Sequence, residues 1–335
     1  MRDTRGPSRW GGQEWAAVAI VAAALAVPFL TEHLLVHSIV NRVLIGVMAA
    51  FSVFIMLRMD LLSFATPAFM ALGGYAAVLL AMNGVTDVLL IVPASFVVPA
   101  LVALPLGALV LRLRGVYFVL VTFVLTEILQ LLLFMTPRLT GGSDGLAGFP
   151  APTLLGTDLI DARSVLVLAA VMALAAVLIT AALTAHFCQH FAAIEENEVL
   201  AESLGLVVWR YKAMGFVVAA GIAGMAGFSL VNMLLTAHPT SFGAQQAVDT
   251  IVYAVIGGRG SILGPIVGAS LLVTASDFLG NQGQYAQGLF GLLLILVTLV
   301  ARGGIAGAVA TLVRRLRAPR AAAPAAAPEA ARSGA

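Results

Sequence analysis

Apolar runs long enough to cross a bilayer as helix, which takes about 17–25 residues, recur along this chain from Trp15 to Ala301. The bilayer interior offers no partner for backbone N–H and C=O groups, so each run must close its hydrogen bonds on itself as a helix. Composition agrees: 61% of the residues are hydrophobic, against about 45–50% in soluble domains. The mean hydropathy is +1.04. The expected fold is therefore an all-α polytopic membrane protein with about ten transmembrane or re-entrant helices.

The expected spans are Trp15 to Leu30, Ile39 to Leu57, Pro67 to Met82, Val88 to Leu111, Val116 to Met135, Ser164 to His186, Tyr211 to Leu235, Ala247 to Ile256, Ile262 to Phe278 and Ala286 to Ala301. The eighth is too short to cross alone, and a re-entrant eighth and ninth pair would preserve the parity of the others. Trp15 to Leu30 lacks a small-residue cleavage site and reads as a retained helix rather than a signal peptide. With the N-terminus inside, only Arg42, Arg138 and Arg163 among the span-flanking bases fall outside. The inside segments collect Arg2, Arg5, Arg9, Arg58, Arg112, Arg114, Arg210, Lys212, Arg259, Arg302, Arg314, Arg315, Arg317 and Arg320. The positive-inside rule then puts both termini in the cytoplasm. Trp10, Trp15 and Trp209 stand at expected inner boundaries, where amphipathic rings anchor helices in the headgroup layer.

Several classes of chemistry are excluded. Cys188 is the only cysteine, so neither an internal disulfide nor a paired-thiol motif can form. Lys212 is the only lysine, and it follows no glycine-rich turn, so a Walker loop is absent. The stretch GGRGSILG, Gly257 to Gly264, has the glycines of a phosphate cradle without its lysine. The pI near 9.0 reflects bases at span ends, a pattern that reports orientation rather than nucleic-acid binding. His186 and His190, at i and i+4, share a helix face and can chelate, but Cys188 points elsewhere and no fourth ligand accompanies them. Interfacial histidines are the expectation, with no metal or other cofactor.

Glu127 lies near the middle of the fifth span, and an intramembrane carboxylate has two readings. It either carries a proton or clamps neighbouring helices through Thr122, Thr126 or Gln130. Asp249 and Asp277 fall near the ends of short segments and are expected to be wet. Small residues cluster at Gly73, at Gly221 to Gly227 and at Gly264 to Ser270, where they let helix backbones approach closely. Pro93, Pro99 and Pro105 each remove a hydrogen bond from the fourth span, predicting kinks that neighbouring helices compensate.

The stretch AAIEENEVLAESLG, Ala192 to Gly205, gathers four of the chain's 16 acids: Glu195, Glu196, Glu198 and Glu202. Helical spacing puts Ile194, Glu198, Ala201 and Gly205 on one face. The stretch predicts one short amphipathic helix ended by Gly205 in the left-handed conformation. From composition alone a solvated acidic loop is equally open. The motif E-x-x-A-x-x-x-G, here Glu198, Ala201 and Gly205, resembles the EAA loop of ABC importer permeases.

Three more motifs follow the same order as in one branch of that family. They are RLRGVYFVLVTFVLTEILQ (Arg112 to Gln130), LTGGSDGLAGFP (Leu139 to Pro150) and GGRGSILGPIVGA (Gly257 to Ala269). Together they resemble the branched-chain amino acid ABC transporter permeases of the LivM type, over roughly Asp60 to Gly307.

The resemblance implies a transmembrane permease subunit in a bacterial inner membrane that is not itself an enzyme. ATP hydrolysis is expected on partner subunits. Its expected partners are membrane lipid, a second homologous permease, two ATP-binding cassette ATPases and an external substrate-binding protein. Residues 1–14 would form a cytoplasmic segment, 15–301 the permease domain, 187–210 a cytoplasmic coupling loop and 302–335 a cytoplasmic tail, disordered from about 318 given its Ala/Pro-rich composition. Glu196, Glu198, Ala201 and Gly205 would couple to the ATPase. Glu127, Gly141, Gly142, Gly257, Gly258, Gly260, Ser261, Gly264 and Pro265 would belong to the translocation path or its gates.

The chain departs from the family where Gln189 and His190 replace Gly-Arg, Glu195 an arginine and Leu200 an alanine. These departures imply a matched ATPase surface or a different substrate branch, urea or a short amide. A proton-coupled secondary transporter using Glu127 is the alternative from another class.

Overall fold

Helices form where the apolar runs predict them, and hydrogen bonds between the breaks bind them into a bundle. The computed structural model describes residues 11–154, 156–280, 288–292 and 295. The tail and most of the expected tenth span and N-terminal segment lie outside the described residues. Among the described residues, six helical stretches are long and apolar enough to cross a membrane, with two shorter apolar helices beside them.

Helix α1 (Gly12–Ala24) and the short α2 (Val27–Leu30) together make the first stretch. They are followed by α3 (Leu34–Leu57), α4 (Thr66–Met82), α5 (Val88–Val110), α6 (Val116–Met135) and the single turn α7 (Pro137–Thr140). After two-residue strands β1 (Leu146–Ala147), β2 (Thr153–Leu154) and β3 (Thr157–Asp158) comes α8 (Ala162–His186). Then come α9 (Cys188–Glu196), α10 (Glu198–Ser203), α11 (Val208–Leu234), strand β4 (Thr236–Ala237), α12 (Ala244–Gly257) and α13 (Leu263–Gly280).

Three features differ from the sequence expectation. The first span is broken after Ala24 because Pro28 has no N–H for the Ala24 carbonyl, and its ring would clash with that carbonyl in a continuous helix. The expected all-α chain carries two small antiparallel pairs, β1 with β4 and β2 with β3, between helix ends. Asp277, expected to be wet, is largely covered and bonds Arg42 at 2.6 Å.

Helix α12 confirms that the eighth segment cannot cross alone, since its 14 residues rise only about 21 Å. The turn after it nevertheless reaches the α3–α4 corner, where Arg259 meets Asp60 at 3.1 Å. The contacts segregate the bases. Arg58, Arg114, Lys212 and Arg259 pair with acids at one end of the bundle, whereas Arg42 pairs with Asp277 and Arg163 covers the Phe29 ring at the other.

Helix α11 is the centre of the bundle and packs against α3, α4 and α5. Lipid supplies no hydrophobic drive between helices, so their adhesion rests on close packing and hydrogen bonds. The small residues of α11 provide that closeness: Gly224 faces Gly73 of α4, Gly227 faces the Met70 carbonyl, and Gly221 faces the Phe96 ring. Helix α5 stays unbroken through its three prolines. The Ser95 carbonyl, which Pro99 deprives of its helical donor, lies against the Gly224 backbone. Glycines make the α12–α13 hairpin in the same way, with Gly257 against Gly264 and Gly268 against the Tyr253 carbonyl.

The non-helical Phe64 also finds partners. Its N–H donates to Thr122 Oγ1 at 3.1 Å and its carbonyl accepts from Thr126 Oγ1 at 2.8 Å. Such backbone is tolerated at membrane depth only where protein satisfies it.

Substituting Gly224 or Gly227 with alanine places a Cβ into facing backbone. Each variant is expected to lose at least the roughly 1–3 kcal/mol typical of overpacking. The measurement is the melting temperature in detergent, with Gly12→Ala, where a Cβ meets nothing within 4 Å, as the control that stays unchanged.

Candidate functional site

The glutamate-rich stretch forms two helices rather than the one its spacing predicts. Asn197 is extended (φ −162°, ψ 108°) and ends α9, while its side chain accepts the Leu200 N–H at 3.0 Å and so caps α10. A side-chain acceptor at this position satisfies a donor that the helix cannot. The other end matches the expectation: Gly205 has φ +89°, its N–H reaches the Glu202 carbonyl, and the Leu206 N–H reaches that of Ala201. This is the Schellman pattern, which favours glycine. Helix α10 is therefore a rigid six-residue unit between two non-helical joints.

One face of this unit packs on the bundle. Ala201 is buried, as are Phe191 and Ile194 of the preceding α9, but the single face that the spacing predicts is not kept, since the two helices are separate and Gly205 is exposed. Glu198 sits beside them, its side chain 24% exposed, and Oε2 meets Lys212 Nζ at 2.8 Å. Lys212 is only 3% exposed. Arg114, in the corner between α5 and α6, approaches Glu198 Oε1 at 3.5 Å and Glu202 at 3.3 Å. On α9, Glu195 meets Arg58, the C-cap of α3, at 3.7 Å. Glu196 is exposed.

Magnitudes rank these contacts. The exposed Arg114–Glu202 pair belongs to a class worth about 0–1 kcal/mol. Removing the partner of a buried ammonium costs about 3–5 kcal/mol, so Glu198–Lys212 dominates. The opposite face of α10 carries apolar side chains: Val199, Leu200 and Leu204 are exposed, Leu204 by 80%. Next to its C-terminal joint, Phe187, Leu206, Arg210 and Tyr211 help line a cavity of about 330 Å³.

The helix that would put His186 and His190 on one face is not continuous. Phe187 interrupts the helix between them, and His190 stacks on Tyr211 with ring centroids 4.6 Å apart. No group of three or more His, Cys, Asp or Glu side chains suited to a metal occurs among the described residues.

The remaining candidates are dispersed. Thr122 and Thr126 clamp the Phe64 backbone and Gln130 Nε2 donates to the Pro239 carbonyl at 3.2 Å. Glu127 is half-buried, and its carboxyl group forms no hydrogen bond or ion pair among the described residues, whereas its neighbours Thr122, Thr126 and Gln130 make the clamping bonds. Gly141 (φ +72°) and Gly142 (φ +58°) form the left-handed turn after α7. There His238 Nε2 donates to the Ser143 carbonyl, which leaves Nδ1 to accept from Thr240.

At the base-rich end, Gly257 and Gly264 close the α12–α13 hairpin, and Gly258 (φ +118°) turns it. Gly260 is unencumbered, and Ser261 Oγ accepts the Leu263 N–H. Pro265 falls in the first turn of α13, where its missing N–H has no helical partner to lose. The sequence reading missed the roles of Arg58, Arg114, Lys212 and Arg259. The sequence marked them only as bases at span ends; nothing in it paired them with these acids.

Residues 35–301 match the family described as branched-chain amino acid transport system / permease component. The chain is 27% identical over 310 residues to the high-affinity branched-chain amino acid transport system permease protein LivM of Salmonella typhimurium, covering 85% of this chain and 73% of that protein. The LivM protein of Escherichia coli K12 matches to the same extent. A shorter likeness, 30% over 119 residues, links it to the ribose import permease protein RbsC of Bacillus subtilis, covering 33% of this chain and 37% of that one. No solved structure matches. The chain, a multi-pass membrane protein, belongs to the family of permease components of branched-chain amino acid transport systems.

Proposed function

We propose that this chain is the permease subunit of an ABC importer for branched-chain amino acids in a bacterial inner membrane. A second homologous permease completes the translocation path, two ATPases drive it, and an external binding protein delivers substrate. The base-rich end faces the cytoplasm, as the positive-inside rule requires, and α10 is the helix that docks on an ATPase. The observation that carries this reading is α10 itself. A capped helix stands at that end, with Val199, Leu200 and its C-cap Leu204 exposed among the described residues, an apolar face suited to a partner.

Closure of the ATPases on ATP would displace α10, and the helices on either side of the loop, α8 and α11, would follow and switch access between the membrane's two sides. Gly141, Gly142, Gly257, Gly258, Gly260, Ser261, Gly264 and Pro265 sit at helix ends, where such a rearrangement can be absorbed. The family match and the likeness to LivM favour leucine, isoleucine and valine over urea or short amides.

Three outcomes test the assignment. Burial of one leucine is worth about 1.5–3 kcal/mol, so Leu204→Asp is expected to weaken ATPase copurification about tenfold or more while the chain's melting temperature in detergent holds. The cognate binding protein should bind branched-chain amino acids in calorimetry, and urea binding in their place would move the transporter to the amide branch. The third outcome addresses proton coupling. Reconstituted alone, the chain is expected to move no substrate on a proton gradient; transport abolished by Glu127→Gln in that preparation would replace this reading with a secondary transporter.

A further inference from the structure

We propose that Glu198 works inside this chain rather than on the ATPase: bound to Lys212 and Arg114, it is the positioning residue that braces α10 against α11 and the α5–α6 corner, so that these segments move together. The inference rests on α10 being the docking helix and assigns its acids a task that the docking alone does not.

Both carboxylate oxygens of Glu198 are already engaged, Oε2 by Lys212 at 2.8 Å and Oε1 by Arg114 at 3.5 Å. Each oxygen thus already faces a base of the same chain, and an arginine or lysine from outside would have to compete with it. Lys212, the only lysine of the chain, is buried and belongs to the first turns of α11. The unsatisfied N–H groups of a helix start make that region electropositive. An ammonium there needs an anion, and Glu198 supplies it. Arg114 continues to Glu202, one turn further along α10, and Glu195 performs the same service for Arg58 at the end of α3. Three of the four glutamates therefore point back to bases of the bundle, while the uncharged Val199, Leu200 and Leu204 point away from it.

The joints explain why a brace is needed. Helix α10 hangs between extended Asn197 and left-handed Gly205. A short rigid unit between two such joints would pivot under load and leave the membrane helices behind. An ion pair to α11 and a second to the corner leading into α6 turn the pivot into a lever. The acid excess of this stretch, expected from sequence to be explained on the ATPase surface, is balanced by bases of the same chain.

The test uses the complete transporter in proteoliposomes with its binding protein, comparing wild type with Glu198→Gln, Lys212→Met, Arg114→Gln and the exchanged pair Glu198→Lys with Lys212→Glu. ATPase copurification and substrate moved per ATP hydrolysed are read separately. Each single variant is expected to retain the ATPases. Glu198→Gln and Lys212→Met should lower substrate moved per ATP by about tenfold or more, as loss of a strongly coupled pair allows, and the exchanged pair should recover part of it, the remainder being lost to the new lysine facing Arg114.

Arg114 is exposed, so Arg114→Gln keeps the test decisive if Lys212→Met does not fold; its expected loss is smaller, about two- to fivefold. ATPase loss in Glu198→Gln but not in Arg114→Gln would place Glu198 on the ATPase and overturn the proposal. So would wild-type coupling in the single variants, or an exchanged pair that folds with wild-type melting temperature yet stays uncoupled. If the wild-type chain itself retains no ATPase, the docking assignment fails first, and that result is distinct from a complex that assembles but loses no coupling.

Discussion

Close approach of backbones along α11 is the constraint from which the rest of the bundle follows. Helices in lipid gain nothing from hiding leucines from leucines, so they adhere only where surfaces fit and polar groups meet. Gly224 and Gly227 let α4 and α5 reach α11 at backbone distance, and that approach places one carbonyl where it would otherwise be orphaned. The Ser95 carbonyl loses its donor to Pro99 and rests on Gly224, a contact of the weak Cα–H···O kind. Proline in one helix and glycine in its neighbour are a complementary pair. Neither is accounted for by the propensities of its own helix.

The same accounting governs the irregular segments. Phe64 precedes α4 without helical hydrogen bonds, and two threonines one turn apart on α6 take its N–H and its carbonyl. Tyr75 of α4 donates to the Ala237 carbonyl at 3.2 Å, and so fastens the β4 segment to the bundle. These two irregular segments are held by side chains from other parts of the bundle. Breaks of this kind are fixed points of the fold, and the cross-helix bonds make α6 part of a bundle that it otherwise touches along one face only.

How far these features were legible in the sequence depended on whether their cause was local. Spans follow from the length of apolar runs, and nearly all described ones appear within a few residues of expectation. The stop at Gly205 follows from one glycine, and the glycine clusters follow from residue size. The break before Pro28 was equally local, but the length of the apolar run outweighed it. Asn197 was harder, because asparagine inside a helical period becomes a cap only when the chain also turns there. The ion pairs were not legible at all. Glu198 meets Lys212 and Arg114 only once α10 folds back under α11 and beside the α5–α6 corner, and no period within Ala192 to Gly205 encodes that register.

The separation of charge on α9 and α10 follows from where those helices stand. A segment at the end of a membrane bundle faces the bases that flank the spans, and its acids lower the energy of those bases when they turn inward. Lys212 makes the requirement strict, because a buried ammonium without a counter-ion costs far more than an exposed pair returns. With the acids committed inward, the outward face is left to Val199, Leu200 and Leu204, which gain only by being covered. Apolar knobs give a partner affinity without charge, and the internal ion pairs set the orientation in which the knobs are presented. On the proposed reading, adhesion and transmission fall to different side chains of α10 and its C-cap, so either could vary in a related chain without rebuilding the other.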